Sequence, residues 1–168
     1  MRILLVHNYY QQRGGEDVAV ENERDLLRAH GHDVEFYSVN NDAIRGPWRK
    51  AVTAVLTVHN PWSKAAMAER LRQFRPDVVH VHNFFPMLSP AIFDACREAG
   101  TPSVMTLHNF RIMCPTSILY HDGAIRERSL KHSAIWALPR RVYRSSFLAT
   151  LPLVVMVDFH KWAGTWRR

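Results

Sequence analysis

The sequence has few cysteines and no long apolar segment, and each absence excludes a class of protein. Its 168 residues contain only two cysteines, Cys96 and Cys114, too few for the disulfide framework of a small secreted domain. Residues 1–10 lack the apolar core and cleavage site of a signal peptide. The apolar run at residues 151–157 is too short to span a bilayer, and Pro152 interrupts it. We therefore expect a cytoplasmic protein.

Most of the chain has no net positive charge, and the excess of basic residues lies at one end. Residues 1–125 hold 13 Lys and Arg against 13 Asp and Glu, whereas residues 126–168 hold 9 against 2, which accounts for the net charge of +7. Such a local excess predicts an anionic partner for one region and not for the whole protein.

The basic region contains a predicted helix at residues 133–148 with aromatic and basic side chains interleaved. Its positive charges are compatible with one helical face and lie at Arg140, Arg141 and Arg144. A face of this kind could contact nucleic acid, an anionic membrane surface, another part of the protein, or only solvent. We expect peripheral contact with the inner face of a membrane and no nucleic-acid partner.

Short apolar runs alternate with helical patterns over the first two thirds of the chain. Strands are predicted at residues 2–8, 32–39, 76–83 and 102–109. Helices are predicted from Glu16 to a C-cap at Gly31, and at residues 49–59, 63–74 and 90–99. This alternation, with right-handed crossovers, predicts an α/β fold in which a Rossmann-like parallel sheet has helices on both faces. We expect one domain spanning residues 1–168.

Histidine and asparagine residues recur where three of the predicted strands end. They are His7, Asn8, His82, Asn83, His108 and Asn109. In an open parallel sheet, ligands bind beyond the carboxyl ends of the strands, so these side chains should line a common groove. Any one of them could instead cap a strand end or bond a loop carbonyl, and the threefold recurrence is what favours a binding site.

A glycine pair, Gly14 and Gly15, lies between the first predicted strand and the first predicted helix. Glycine lets the backbone approach a ligand, and a helix N-terminus offers free N–H groups to an anion. The chain has neither the G-x-G-x-x-G pattern nor a P-loop. Glu16 and Asp17 follow the glycines, and either stabilise the helix N-terminus or take the place of a phosphate.

His80 and His82 are two residues apart on a predicted strand and therefore share a face, a spacing that could hold a metal. A zinc site would need a third ligand, and His108 or His121 could reach. The only nearby carboxylate, Asp77, lies at the wrong end of its strand. We therefore expect no metal, and a metal-dependent hydrolase is the weakest of the functions considered.

Two long segments of the chain resemble a known family. The segments MRILLVHNYYQQRGGEDVAVENERDLLRAHGHDV and PDVVHVHNFFPMLSPAIFDACREAGTPSVMTLHNFRIMCPTSILYHDG resemble the N-terminal domain of family 4 (group 1) glycosyltransferases of the GT-B fold. The run from His108 to Gly123 is the most specific part. The resemblance extends over nearly the whole chain and implies retaining transfer of a sugar from a nucleotide-sugar donor to a sugar or lipid-linked acceptor, as in polysaccharide biosynthesis, without a cofactor.

The resemblance also implies roles for individual residues. Gly14 and Gly15 match the family's glycine-rich loop, Glu16 follows as in many relatives, and His108 matches a histidine near the donor sugar, which makes it the catalytic candidate. We predict three further substrate-binding residues at the strand ends, and these are His82, Asn83 and Asn109.

In relatives, a second Rossmann-like domain holds most of the nucleotide and carries a Glu-x7-Glu motif. That donor-binding domain is absent from this chain, so we expect an inactive fragment of a longer enzyme. Many relatives also carry a Cys-x-x-Cys pair where Arg126 and Ser129 stand here. The alternative interpretation is a non-catalytic Rossmann-like module that binds a nucleotide, a sugar or a protein.

Overall fold

In a computed structural model of the protein, which describes residues 1–167, the chain forms two compact units. The first unit runs from Met1 to His108, and the second begins at Asn109. Within residues 1–167, no helix combines the length and the apolar character needed to cross a membrane.

A four-stranded parallel sheet with the spatial order β2-β1-β3-β4 forms the centre of the first unit. The strands are β1 (Arg2–Tyr9), β2 (Asp33–Asn40), β3 (Val78–Val81) and β4 (Ser103–Met105). The helices around the sheet are α1 (Gly15–Ala29), α2 (Gly46–Leu56), α3 (Pro61–Phe74) and α4 (Ala91–Glu98). The predicted α/β Rossmann-like fold is confirmed.

The continuous apolar run of β1 follows from its place inside the sheet. This strand pairs with β2 on one side and β3 on the other, so Leu4, Leu5 and Val6 are fully buried. A strand covered on both faces cannot alternate apolar with polar residues, because each residue meets the core. On one face Leu5 packs with Val34 of β2 and Leu27 of α1.

Local turn chemistry sets the helix ends close to the predicted positions. Asn60 caps α3, because its Oδ1 accepts from Trp62 N at 3.0 Å and Ser63 N at 3.2 Å. Pro61 occupies the first helical position, where a missing N–H costs nothing. Gly31 follows α1 with a φ of +78°, the conformation that favours glycine after a helix.

Two strands end earlier than predicted. The ladder between β3 and β4 ends at the pair Val81–Met105, and only Thr106 N continues it, donating to Val81 O at 3.0 Å. Beyond β3, the side-chain oxygen of Asn83 accepts from Phe85 N at 3.0 Å and turns the chain away. The histidines predicted at these strand ends therefore lie in the first residues of the loops.

The second unit is built from short elements and one longer helix. They are β5 (Tyr120–His121), β6 (Ala124–Ile125), α5 (Arg128–Lys131), a 3₁₀ turn at Ala134–Ala137, α6 (Phe147–Trp162) and a 3₁₀ turn at Thr165–Arg167. The strands β5 and β6 pair antiparallel across Asp122 and Gly123, which have φ values of +50° and +71°. Positive φ at both positions is typical of a type I′ hairpin, for which Asp-Gly is a favoured sequence.

The predicted helix at residues 133–148 is wrong. The chain makes a 3₁₀ turn and then a series of turns, with positive φ at Arg141, Arg144 and Ser145. Pro139 lies in this stretch and cannot donate a helical hydrogen bond. The regular helix begins only at Phe147, after Ser146 Oγ accepts from Ala149 N at 3.3 Å.

Pro152 lies inside α6, so the helix continues through this proline and through the apolar residues that follow. Leu153, Val154, Met156 and Val157 are buried on the inner side of this helix.

Candidate functional site

Four histidine rings lie side by side at the carboxyl end of the parallel sheet. The ring centroid of His82 lies 4.5 Å from that of His80, 5.3 Å from that of His108 and 6.5 Å from that of His7. The register of β1 against β3 pairs Val6 with Val81, which places the residues after each strand at one edge. The structure therefore brings together imidazoles from three strands, as the sequence predicted.

His82 and His108 are linked directly. Nδ1 of His82 lies 3.1 Å from Nε2 of His108, and the two rings are stacked at an interplanar angle of 27°. Burial is the main cause that lowers the pKa of His82 to about 3, and the neighbouring His80 and His108 rings contribute to this shift. Burial also lowers the pKa of His108, although the Glu23 carboxylate opposes this. Both rings are therefore neutral near pH 7, so one donates to the other.

Glu23 joins the histidine cluster from helix α1. Its Oε1 lies 2.8 Å from Nδ1 of His80, and its Oε2 lies 3.2 Å from Nε2 of His82. The far nitrogen of His80, Nε2, lies 2.8 Å from Thr106 Oγ1. Sequence reasoning missed this glutamate. The available signal was its position three residues after the buried Val20, because residues at that spacing share a helix face.

His7 forms a buried pair with Asp17, away from the Glu23 contacts. His7 Nε2 lies 2.7 Å from Asp17 Oδ1, and the side chains are 0% and 1% exposed. Burial lowers the pKa of His7, opposed by its hydrogen bond with Asp17. The second oxygen of Asp17 accepts from Gly14 N at 2.9 Å. Asp17 thus ties the glycine loop to the end of β1, a structural role beyond its effect on the helix dipole.

The glycine loop itself is open. A Cβ added at Gly14 or Gly15 would meet nothing within 4 Å, so no close contact with the rest of the protein requires glycine at either position. The amide of Gly14 is used by Asp17, so it is not available to an anion in this arrangement. Glu16 is partly buried, with Oε1 3.4 Å from Asn83 Nδ2.

Asn8 near the end of β1 and Asn83 after β3 hold the loop that follows β3. Asn83 Nδ2 donates to Asn8 O at 2.7 Å, while Asn8 Oδ1 accepts from Met87 N at 2.9 Å. Asn8 Nδ2 donates to Asn41 Oδ1 at 2.9 Å. Because the amide atoms of Asn83 bond the chain itself, the geometry gives Asn83 a part in shaping this edge, and substrate contact by its side chain stays a prediction.

The remaining predicted residues lie in the second unit. Asn109 Oδ1 accepts from Arg111 N at 2.9 Å, which turns the loop. His121, one of the two proposed third metal ligands, lies 3.3 Å from Asp122 instead. Buried Cys114 has its sulfur 3.7 Å from Ser129 Oγ, so the serine that replaces a cysteine of relatives contacts this thiol.

Arg140, Arg141 and Arg144, which were predicted to share one helical face, are exposed, but no helix carries them. Arg140 lies over the Trp136 ring, with its guanidinium carbon 5.7 Å from the centroid, and donates to Trp136 O at 3.2 Å. Arg144 lies 5.5 Å over the ring of Tyr143. Arg141 and Arg144 have positive φ, so turns and not a helix determine where these charges lie.

The sheet and its polar carboxyl edge define a Rossmann-like α/β domain. Residues 14–166 match the family described as "Glycosyl transferase 4-like domain", and the chain belongs to this family. The chain is thus a family 4 glycosyltransferase domain of the GT-B type, which confirms the resemblance seen in the sequence. A comparison with curated proteins finds no match.

Proposed function

We propose that this chain is the acceptor-side, N-terminal domain of a retaining glycosyltransferase that moves a sugar from a nucleotide-sugar donor. Membership of the glycosyltransferase family supports a transferase role in general. The observation that carries the finer proposal is the row of imidazoles at the carboxyl ends of β1, β3 and β4, with His108 partly exposed at its end. Side chains at this edge of a parallel sheet are placed to meet a ligand.

His108 is the residue we assign to the sugar. Nε2 of His108 already contacts Nδ1 of His82, so Nδ1 of His108 is the nitrogen that we expect to contact a sugar hydroxyl. A positioned polar group of this kind also stabilises charge that develops as the glycosidic bond breaks. The buried contacts of His82 hold the ring in place, which reduces the cost of positioning it during the reaction.

The glycine loop is the second part of the proposed site. Gly14 and Gly15 leave open space at the N-terminus of α1, and Glu16 stands at the same place. We assign this space to hydroxyl groups of the acceptor or the donor sugar. Most of the nucleotide would be held by a second domain, so the chain alone is expected to bind sugar weakly and to transfer none.

Binding of the sugar is tested by NMR on the isotopically labelled chain. Titration with UDP-glucose and with GDP-mannose should shift the ring signals of His108 and the amide signals of Gly14 and Gly15. The variant His108→Ala should abolish these shifts, whereas His59→Ala, a change at another helix end, should keep them. Shifts confined to other regions, or none at millimolar ligand, would contradict the proposed site.

Transfer itself needs a separate assay. The chain is incubated with radiolabelled donor and a bacterial lipid extract, and no labelled lipid is expected. Labelled product above background would overturn the proposed inactivity of the chain. Shifts with the free nucleotide alone, and none that depend on the sugar, would support the alternative of a non-catalytic nucleotide-binding module.

We also propose that the acceptor is lipid-linked and that Arg140, Arg141 and Arg144 contact the inner face of a membrane. Each basic residue near an anionic leaflet contributes about 1 kcal/mol, so replacing all three with glutamine should weaken binding to phosphatidylserine vesicles about 100-fold. A matched triple variant replaces Arg45, Arg49 and Lys50, which are also exposed. Equal flotation of both variants, or no dependence on anionic lipid, would remove this proposal.

A further inference from the structure

We propose that Glu23, His80 and His82 form a binding site for one divalent transition-metal ion, with zinc as the best fit. One ligand atom from each of the three side chains lies within 4.8 Å of the others. Two imidazoles and a carboxylate are a donor set that zinc uses in proteins, with a fourth position left for water or a substrate oxygen. This proposal departs from the expectation of no metal, because Glu23 supplies the carboxylate that the sequence did not reveal. It does not depend on sugar transfer, although His82 also contacts His108, the residue assigned to the sugar.

The fold explains how these three residues meet. His80 is the third residue of β3, and His82 follows the strand at the next position of the same face, because side chains alternate along a strand. Glu23 comes from α1, on the helix face that also carries the buried Val20. The ligands thus come from α1 and from β3 with the residue two positions after His80.

The ligand atoms lie close enough to share one ion, because each histidine nitrogen contacts a different oxygen of the Glu23 carboxylate. Metal–ligand bonds of about 2.0–2.1 Å place neighbouring ligand atoms about 3.3 Å apart. Glu23 Oε1 lies 2.8 Å from His80 Nδ1, and Glu23 Oε2 lies 3.2 Å from His82 Nε2. The side chains of His80 and Glu23 are 16% and 33% exposed, so an ion can enter from solvent and both groups can adjust.

The strongest observation is the state of His82 Nε2. The His82 side chain is 1% exposed, and within residues 1–167 its Nε2 has no hydrogen-bond partner, although the Glu23 carboxylate lies 3.2 Å away. A buried polar nitrogen without a partner is rare in native proteins and calls for an explanation. A metal ion between this nitrogen and the carboxylate would satisfy both groups.

The outer nitrogens of both rings already have the partners that metal binding needs. A metal-bound histidine donates its other N–H to a neighbouring acceptor. His80 Nε2 lies 2.8 Å from Thr106 Oγ1, and His82 Nδ1 lies 3.1 Å from His108 Nε2. With the ion bound, His82 would donate to His108, and His108 would carry its own proton on Nδ1.

The test measures metal binding by the intact chain. Chelator-treated protein is dialysed against micromolar ZnCl₂ and analysed for bound metal, with one ion per chain expected. CoCl₂ should give the visible absorption of tetrahedral cobalt with nitrogen and oxygen ligands. Since loss of an outer-shell partner alone weakens binding 10–100-fold, the ligand variants His80→Ala and Glu23→Gln should each weaken it by at least about 100-fold.

Controls separate this site from other histidines. His121→Ala and His59→Ala change two histidines that also stand beside a carboxylate, and both variants should keep full binding. Circular dichroism checks that each variant is folded, and Glu23→Gln preserves shape should His80→Ala fail to fold. Metal bound well below one ion per chain, or binding kept in both ligand variants, would show a hydrogen-bonded cluster only and overturn the proposal.

A second readout follows from the proton on His108. Nitrogen NMR of the imidazoles should show His108 as the Nδ1–H tautomer in the zinc-loaded wild type, with Nε2 of His82 bound to the metal. A zinc-loaded wild type with His108 as the Nε2–H tautomer, or with Nε2 of His82 free of metal, would contradict the assigned ligands.

Discussion

Both units bury neutral polar side chains, but the first unit also has buried histidines that face carboxylates. In the first unit, ionisable groups face one another, as in His7 with Asp17 and His82 with Glu23. In the second unit, the buried hydroxyl of Ser129 accepts from Trp136 Nε1 at 2.7 Å, and that of Thr150 donates to Ser146 O at 2.7 Å. Neutral pairs serve packing, whereas facing ionisable groups can move protons or bind ions, so chemistry is expected in the first unit.

Breaking the buried pair of the first unit should have the largest effect. Asp17→Ala leaves both His7 Nε2 and the amide of Gly14 without their partner, and each unsatisfied buried group costs about 1–3 kcal/mol. Urea unfolding measures the loss. The control Asp25→Ala removes an exposed carboxylate from the same helix and should change stability little. A loss below about 1 kcal/mol for Asp17→Ala would contradict the role given to this pair.

Breaking the neutral pair of the second unit should cost less. Ser129→Ala removes the acceptor of the buried Trp136 indole, and an unsatisfied buried donor costs about 1–3 kcal/mol. The exposed Ser103→Ala serves as control. Hydrogen exchange at Trp136 Nε1 should also become faster, and an unchanged exchange rate would show that the hydrogen bond is not formed in solution.

Acid should weaken the histidine cluster. The folded-state pKa of His82, about 3, lies below the unfolded value of 6.5, so the unfolded chain takes up the proton more readily. The stability due to the neutral ring is full above pH 6.5 and is lost as the pH falls from 6.5 towards 3. Between pH 7 and pH 5 this ring alone should remove no more than about 2 kcal/mol.

Urea unfolding at pH 7 and at pH 5 measures how the free energy of unfolding depends on pH. This dependence should be weaker in His82→Asn. It should be the same as in the wild type in His59→Asn, which changes an exposed histidine between α2 and α3. The lowered pKa values of His7 and His108 act in the same direction, so some slope should remain in His82→Asn. An identical slope in His82→Asn and the wild type would exclude a lowered pKa for this ring.

The smallest effect concerns helix capping, where the units also differ. The carboxylate of Asp17 caps α1 from inside the helix, whereas the neutral hydroxyl of Ser146 caps α6. Ser146→Ala should cost about 1 kcal/mol, less than Asp17→Ala, because only the cap of one helix is lost. Thermal unfolding compares it with the exposed Ser38→Ala, and a larger loss in the control would show that the cap contributes nothing.

Local sequence signals predicted most of the first unit. Apolar runs located the four strands, and Gly31 marked the end of the first helix, because these signals depend on nearest neighbours in the chain. In the second unit, Asp122–Gly123 has the sequence that type I′ turns favour. The helix predicted around Tyr143 does not form. The alternation of aromatic and basic residues there resembles helical spacing, but Pro139 and positive φ values impose turns.

The amino-acid sequence by itself determined the alternation of strands and helices, the parallel sheet and the recurrence of His and Asn after three strands. Only the tertiary structure decided which groups meet there, since Glu23 and Asp17 reach the strand ends from α1 through packing and not through sequence proximity. Burial at that edge, which no local pattern encodes, also decided that His82 is neutral. Backbone preferences act over a few residues, whereas desolvation and side-chain partners depend on contacts between distant parts of the chain.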